Sequence, residues 1–255
     1  MFKIIFSLLF VFTFSLAQAQ RSELDSIVKL HFDKVGSIDK WKSLKTYYLQ
    51  QSRFFAPIHR SPDERSLGDI SSGYKKTYHK NPNFDRTEFY EDDGTLSSTH
   101  IFTNKEAKRF IYSHMEERIY PEEVRKAILI TRSLHRLGPT LRLLKAYEEK
   151  KIKYNGLVDA YGKPCHMFIL SDEENPYSNG DFIVYIDTTT NLIHATAITS
   201  PFTTKHKLYT DYQEVDGLMI PYKNSSYDKG ILFEEYVIQE VKINVKMNDY
   251  LFKVW

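Results

Sequence analysis

The sequence predicts a mainly β protein in which antiparallel strands curve around an interior, with helices confined to the start and middle of the chain. Three observations carry that prediction. Residues 151–245 read as a series of strand-length segments: KIKYNGLVDA, KPCHMFILS, DFIVYID, LIHATAIT, KHKLYTDYQEV, LMIPYKNSSY and ILFEEYVIQEVKINV. The breaks include turn chemistry at Asn175-Pro176, Asn179-Gly180, Asp216-Gly217 and Asp228-Lys229-Gly230, which favours hairpins and hence antiparallel pairing. Between this group and a shorter first group of strands, residues 121–147 switch to a helical pattern. A helical segment inserted there can cover the concave face of a curved sheet, or simply pack on it.

The chain opens with an export signal. Lys3 gives the basic start, Ile4 to Leu16 the apolar run and Ala17-Gln18-Ala19 the cleavage pattern. The expected cut follows Ala19, and Gln20 rather than Cys comes next, so no lipid anchor is expected on the mature chain. The mature protein is expected to be periplasmic, with onward secretion the alternative. Residues 20–255 then fit one large β domain, with 121–147 as a helical lid.

Ser22 is placed to cap a helix whose Leu24, Ile27, Val28, His31 and Val35 share one face. Gly36 stops it, and Ile38, Trp41 and Leu44 form a second short helical turn. Strands follow at 45–55, 74–80, 84–91, 95–103 and 107–113, with Asp93-Gly94 as a hairpin turn and 56–73 as a long loop. Pro121, Glu122 and Glu123 open a helix to about Arg136. Gly138-Pro139 breaks it, and Thr140 to Tyr147 resumes. In Ile231–Val245 one parity (Ile231, Phe233, Glu235, Val237, Gln239, Val241, Ile243, Val245) is expected to face inward.

Composition excludes several classes. The formal net charge is +2, so no nucleic-acid footprint is present. Charge is uneven, however: residues 105–153 carry 13 Lys/Arg against 7 Asp/Glu. That stretch is either a solvated helix face or a docking patch for an envelope protein or an anionic membrane surface. Cys165 is the single cysteine, so no intrachain disulfide is available, and in the apolar run CHMFIL it reads as a buried small hydrophobe. The nine histidines form no HExxH pair; His114 with Glu116 and Glu117 comes nearest to a metal site, and none is expected. No nucleophile elbow, P-loop or dinucleotide fingerprint occurs, so neither a cofactor nor catalysis is expected. An envelope hydrolase using carboxylates across a cleft ranks third.

The opening LDSIVKLHFDKVGSIDKWKSLKT resembles the helix–glycine–helix start of exported Bacteroidota proteins related to outer-membrane lipoprotein-sorting proteins, the LolA/LolB-like group. VDAYGKPCHMFILSD, YIDTTTNLIHA, YTDYQEVDGLMIPYK and VIQEVKINVKMNDYLFK are similar to that group's later hairpins. The resemblance implies an unclosed barrel with helices plugging its mouth and an apolar hollow that accepts acyl chains. It also implies a lid-locking arginine, which Arg53 matches by strand location alone. Lid and hollow would then be lined by Ile128, Leu129, Leu134, Leu137, Leu141, Leu144, Phe233, Val237 and Val241. The expected function is a monomeric, non-enzymatic carrier of an acyl chain, lipid or lipoprotein. The alternative is an envelope interaction protein with a filled core.

Overall fold

The computed structural model describes residues 21–55, 73–80, 83–111, 114–116, 120–171, 181–200 and 203–253. The expected export signal, most of the 56–73 loop and the tip of the hairpin after Leu170 lie outside the described residues. No helix among the described residues is long and apolar enough to cross a membrane.

The strands are β1 (Thr46–Phe55), β2 (Gly73–Lys80), β3 (Phe84–Glu91), β4 (Leu96–Thr103), β5 (Ala107–Ile111), β6 (His114–Glu116), β7 (Ile152–Ala160), β8 (Lys163–Leu170), β9 (Asp181–Asp187), β10 (Ile193–Ser200), β11 (Thr203–Val215), β12 (Leu218–Asp228) and β13 (Ile231–Ile243). The helices are α1 (21–35), α2 (Ile38–Lys42), α3 (Glu122–His135) and α4 (Thr140–Glu148). All thirteen strands form one sheet in the order β6-β5-β4-β3-β2-β1-β13-β12-β11-β10-β9-β8-β7. The chain starts at the centre, walks outward to β6, crosses by α3 and α4 to the opposite edge at β7, and walks back until β13 pairs with β1. The edges β6 and β7 do not pair with each other, so the sheet is not closed into a barrel.

Helix α1 extends to residue 21, so Ser22 lies within it rather than capping it. Its Leu24, Ile27, Val28, Phe32 and Val35 are buried together with Trp41 and Leu44 against strands of the β7–β13 half. That arrangement follows from the spacing of its apolar positions, which face one side of the helix. Gly36, at φ +109°, makes the turn into α2, and a Cβ there would stand 2.1 Å from the carbonyl oxygen of Gly217. The Trp41 indole N–H donates to the Val35 carbonyl at 3.1 Å and pins α2 to the end of α1. Helix α4 contributes Leu143, Leu144 and Ala146 to the same core. Thus α1, α2 and α4 fill the C-terminal half of the concavity.

One strand corrects the sequence pattern. The β1–β13 register shifts between Gln50 and Gln51, so Leu49 faces Val241 but Gln51 faces Ile238. A single extra residue in β13 inverts its alternation. The inward positions are therefore Ile243 and Val241, then Ile238, Tyr236 and Glu234. Val237 falls on the other face, where it pairs with Lys223, whereas Phe233 is the extra residue of a second register shift opposite Ser226 and Tyr227, its ring 5.9 Å from the Lys205 ammonium.

Candidate functional site

The helical segment divides at Gly138, whose φ of +100° and close approach to Pro221 suit glycine. Before it, α3 lies over the N-terminal half of the sheet, and its described side chains contribute to a cluster separate from the main core. Leu129 is buried in a small satellite cluster with Phe102 and Ala107, against which Ile128 packs. Beyond it, Leu137 and Leu144 join the main core and Leu141 packs against it. The sequence-predicted lid residues therefore split between two apolar clusters.

What fastens α3 is a buried ion group. Asp85, on the concave face of β3, has no exposed surface. The Arg132 guanidinium donates to Asp85 Oδ1 at 2.6 Å, and Arg136 reaches the same oxygen at 3.4 Å. Arg136 also donates to the Thr87 hydroxyl at 2.9 Å. His79 Nδ1 stands 3.5 Å from Asp85 Oδ2, an electrostatic contact rather than a good hydrogen bond. Arg132 and Arg136 are one turn apart and so project from the same side of α3. Arg132 is further seated with its guanidinium carbon 3.9 Å from the centre of the Phe102 ring. Burial on its own would raise the Asp85 pKa, but Arg136, His79 and Arg132 outweigh it and hold the carboxyl well below the usual range.

The end of α3 is tied to α4 in a related way. Arg142, itself buried, donates to His135 Nε2 at 2.9 Å and lies over the Phe182 ring. Since guanidinium only donates, His135 accepts through Nε2 and carries its proton on Nδ1. Burial and the neighbouring Arg142 charge push the His135 pKa down to about 3, so the ring is neutral. Arg132, Arg136 and Arg142 all belong to the basic 105–153 stretch, and all three are turned inward, which removes them from any surface patch. Several of its lysines are matched with neighbouring acids, as in Lys126–Glu122 and Lys108–Glu106.

Beside this ion group lies a cavity of about 320 Å³ between α2 and the α3–α4 segment. Its walls are Trp41, Leu44, Leu134, Leu141 and Leu144, its floor Tyr47 and His79. A Lys42–Glu148 ion pair and Lys145 stand at its rim. On the floor the Tyr47 and His79 rings are stacked with centres 4.8 Å apart. The buried Tyr47 hydroxyl and His79 Nε2 have no hydrogen-bond partner among the described residues, an arrangement that favours a polar guest or water.

Leu134, Leu141 and Leu144 line this cavity, Leu129 and Leu137 are buried in the cores, and Val241 is buried in the main core. Sequence reasoning missed Asp85, Arg132 and Arg136. The available signal was a pair of arginines four residues apart, the first following the apolar AILI run of the helix, together with a carboxylate at an inward strand position. Arg53 does sit on the concave face of β1, but its contacts are with the Phe55 and Phe89 rings rather than with α3. Cys165 is fully buried, and burial pushes its thiol up to about 11, as expected of a packing residue. No group of His, Cys, Asp and Glu suited to a metal ion occurs among the described residues; the side chains of His114, Glu116 and Glu117 lie outside them.

No family model matches the chain, and no curated protein matches it by sequence. Solved structures do resemble it. A DUF1329 family protein from Desulfovibrio piger ATCC 29098 is 10% identical with a TM-score of 0.58, covering 90% of this chain and 96% of that one. A LolA superfamily protein from Nitrosomonas europaea is also 10% identical, with a TM-score of 0.56, covering 90% and 97%. At that identity the likeness is one of architecture. The unclosed antiparallel sheet with helices in its concavity is a LolA-like fold.

Proposed function

We propose that the chain is an exported, periplasmic, non-enzymatic binding module that holds the alkyl chain of an amphiphile beneath α3 and α4. The acyl chain, lipid or lipoprotein expected from the sequence falls within that class. The observation that carries the proposal is the 320 Å³ cavity with leucine and tryptophan walls and an unsatisfied polar floor. Its size lies at the lower end of the roughly 300–1,000 Å³ of ligand sites. It therefore suits a single alkyl chain, and a larger cargo requires α3 to lift. The way α3 is fastened supports such movement, because among the described residues its anchors are an ion group and a small cluster rather than the principal core. Burying a chain contributes about 0.8 kcal/mol per CH₂, less the cost of uncovering the lid leucines. That partial cancellation keeps release possible.

Native mass spectrometry with organic extraction, on mature protein purified from its own envelope without detergent, tests the proposal. A co-purifying acylated species is the expected result. A ligand-free mass with no uptake of added lipid would overturn it and favour an interaction protein with a filled core. That second reading has its own support, since α1, α2 and α4 occupy the C-terminal half of the concavity, packing side chains such as Val28 and Leu143 into one core with the strand residues Phe168 and Leu218.

A further inference from the structure

Past the Asp85 ion group, toward Phe55, the hollow changes character. The register sets Arg53 beside Tyr236, Lys75 beside Gln51, and Lys207 beside Ser226, which in turn pairs with Glu234. All share the concave face with buried Leu49 and Thr77. Lys75 is only 8% exposed, and its ammonium rests 3.5 Å from the centre of the Tyr236 ring. Among the described residues neither Lys75, Lys207 nor Arg53 forms an ion pair. Arg136 reaches the same region from α3, and its buried Nε lacks a hydrogen-bond partner. Glu234 is the nearby counter-charge, and the Tyr236 hydroxyl already donates to it at 2.6 Å.

We propose that Arg53, Lys75, Lys207 and Arg136 form an anion site that receives the carboxylate or phosphate group of an amphiphilic ligand. Buried cations are costly unless paired, and here cations outnumber the acid that faces them. Burial lowers the Lys75 pKa well below its ordinary value, and repulsion from Arg136 and Lys207 lowers it further, against the pull of Glu234. Burial depresses Lys207 in the same way. An entering anion relieves that repulsion and supplies acceptors for ammonium and guanidinium donors. The Phe55 and Phe89 rings beneath Arg53 give the site a dry flank, which strengthens such contacts. Lys75 lies four residues along β2 from His79, roughly 13 Å at strand spacing. One chain therefore spans from the cavity to this end once α3 is raised. That span rests on the binding function proposed above; the anion site itself does not.

The test compares four probes on the delipidated mature chain: dodecanoate, methyl dodecanoate, dodecyl phosphate and inorganic phosphate. Arg136 also serves Asp85, so the variants are Lys75→Met and Lys207→Met, which keep an apolar stem. The expected result is at least about tenfold tighter binding of dodecanoate than of its neutral ester, in line with a charge-assisted hydrogen bond. Each variant should erase that preference while leaving ester binding and the melting temperature unchanged or higher. Dodecyl phosphate, run in parallel, separates a phosphate from a carboxylate as the preferred group. Equal binding of acid and ester, or a preference that survives both variants, would overturn the anion site and leave the binding module standing. Phosphate stabilisation that needs Lys75, without uptake of any of the lipids, would keep the anion site and overturn the lipid reading. Failure of every probe would overturn both.

Discussion

Asp85 is fully buried, and an isolated carboxylate there would be protonated or expelled from the interior. Two guanidiniums and a histidine keep it ionised, and the same contacts hold α3 down. Replacing Asp85 with Asn should leave Arg132 and Arg136 without their counter-charge. Were α3 forced to stay in place, the cost would be about 3–5 kcal/mol, as for other broken buried pairs. A lid that can lift caps that cost, because the freed guanidiniums regain water. Urea unfolding of Asp85→Asn should therefore show a smaller loss, and a loss in the full range would count against a detachable α3. The titration signs also differ between residues. The Asp85 pKa is depressed below its ordinary 3.8, so its contribution is complete above that pH and fades only as pH falls further. His31 is buried with Nδ1 2.8 Å from the Asn191 carbonyl, and burial lowers its pKa from 6.5 to about 4 despite that bond. His135, at about 3, behaves alike. For both, the unfolded state binds protons first, so stability is full above pH 6.5 and declines toward pH 4. For His31 the loss is on the order of 3 kcal/mol. Unfolding measured at pH 7, 5.5 and 4.5 should show that decline, and a flat profile would refute the neutral buried histidines.

At the level of elements, the division of labour between α3 and α4 decides what can move. Helix α4 shares the principal core with α1, whereas among the described residues α3 meets the sheet through the ion group and the Leu129 cluster. Leu134 and Leu141 bracket the Gly138 break and both face the cavity. Leu134→Asp and Leu141→Asp should each lower lipid retention, as read by co-purification, because a carboxylate at the wall penalises an alkyl chain. Unchanged retention in both would remove these helices from the binding role. The α1–α2 junction predicts an effect on stability alone. An alanine at Gly36 would combine an unfavourable positive φ with a clash against the Gly217 carbonyl. Gly36→Ala should cost more than about 1 kcal/mol, seen as a lower melting temperature, and an unshifted one would mean the β11–β12 turn yields freely. These elements were largely legible beforehand. β1, β3 and β9, and α3 to within a residue or two, follow from local alternation, turn chemistry and caps. Val237 went astray because the β13 bulge that inverts parity depends on pairing with β1, a partner far away in sequence.

Across the whole molecule, the order of strands rather than any motif brings the site together. Because β13 returns to pair with β1, the inward faces of β1, β2 and β3 meet those of β11, β12 and β13 in one trough. Asp85 and Arg132 are 47 residues apart, and Lys75 and Tyr236 farther still. No local pattern announces such pairs, which explains why the sheet could be read from sequence while its charged half could not. The resemblance to lipoprotein-sorting proteins led to an expectation of an apolar hollow; the observed one is apolar beneath α4 and cationic beyond Asp85. The same asymmetry predicts an order of opening. Segments with few buried apolar contacts open at lower free energy than those in the main core. Amide hydrogen exchange should therefore be fastest among the helices in α3, slower in α1 and α4, and slowest in β1 and β13 at the sheet centre. Asp85→Asn should accelerate exchange across α3 while leaving α4 and β13 unchanged. Uniform acceleration along the chain would mean that the ion group supports the fold as a unit, and that α3 is no separate lid.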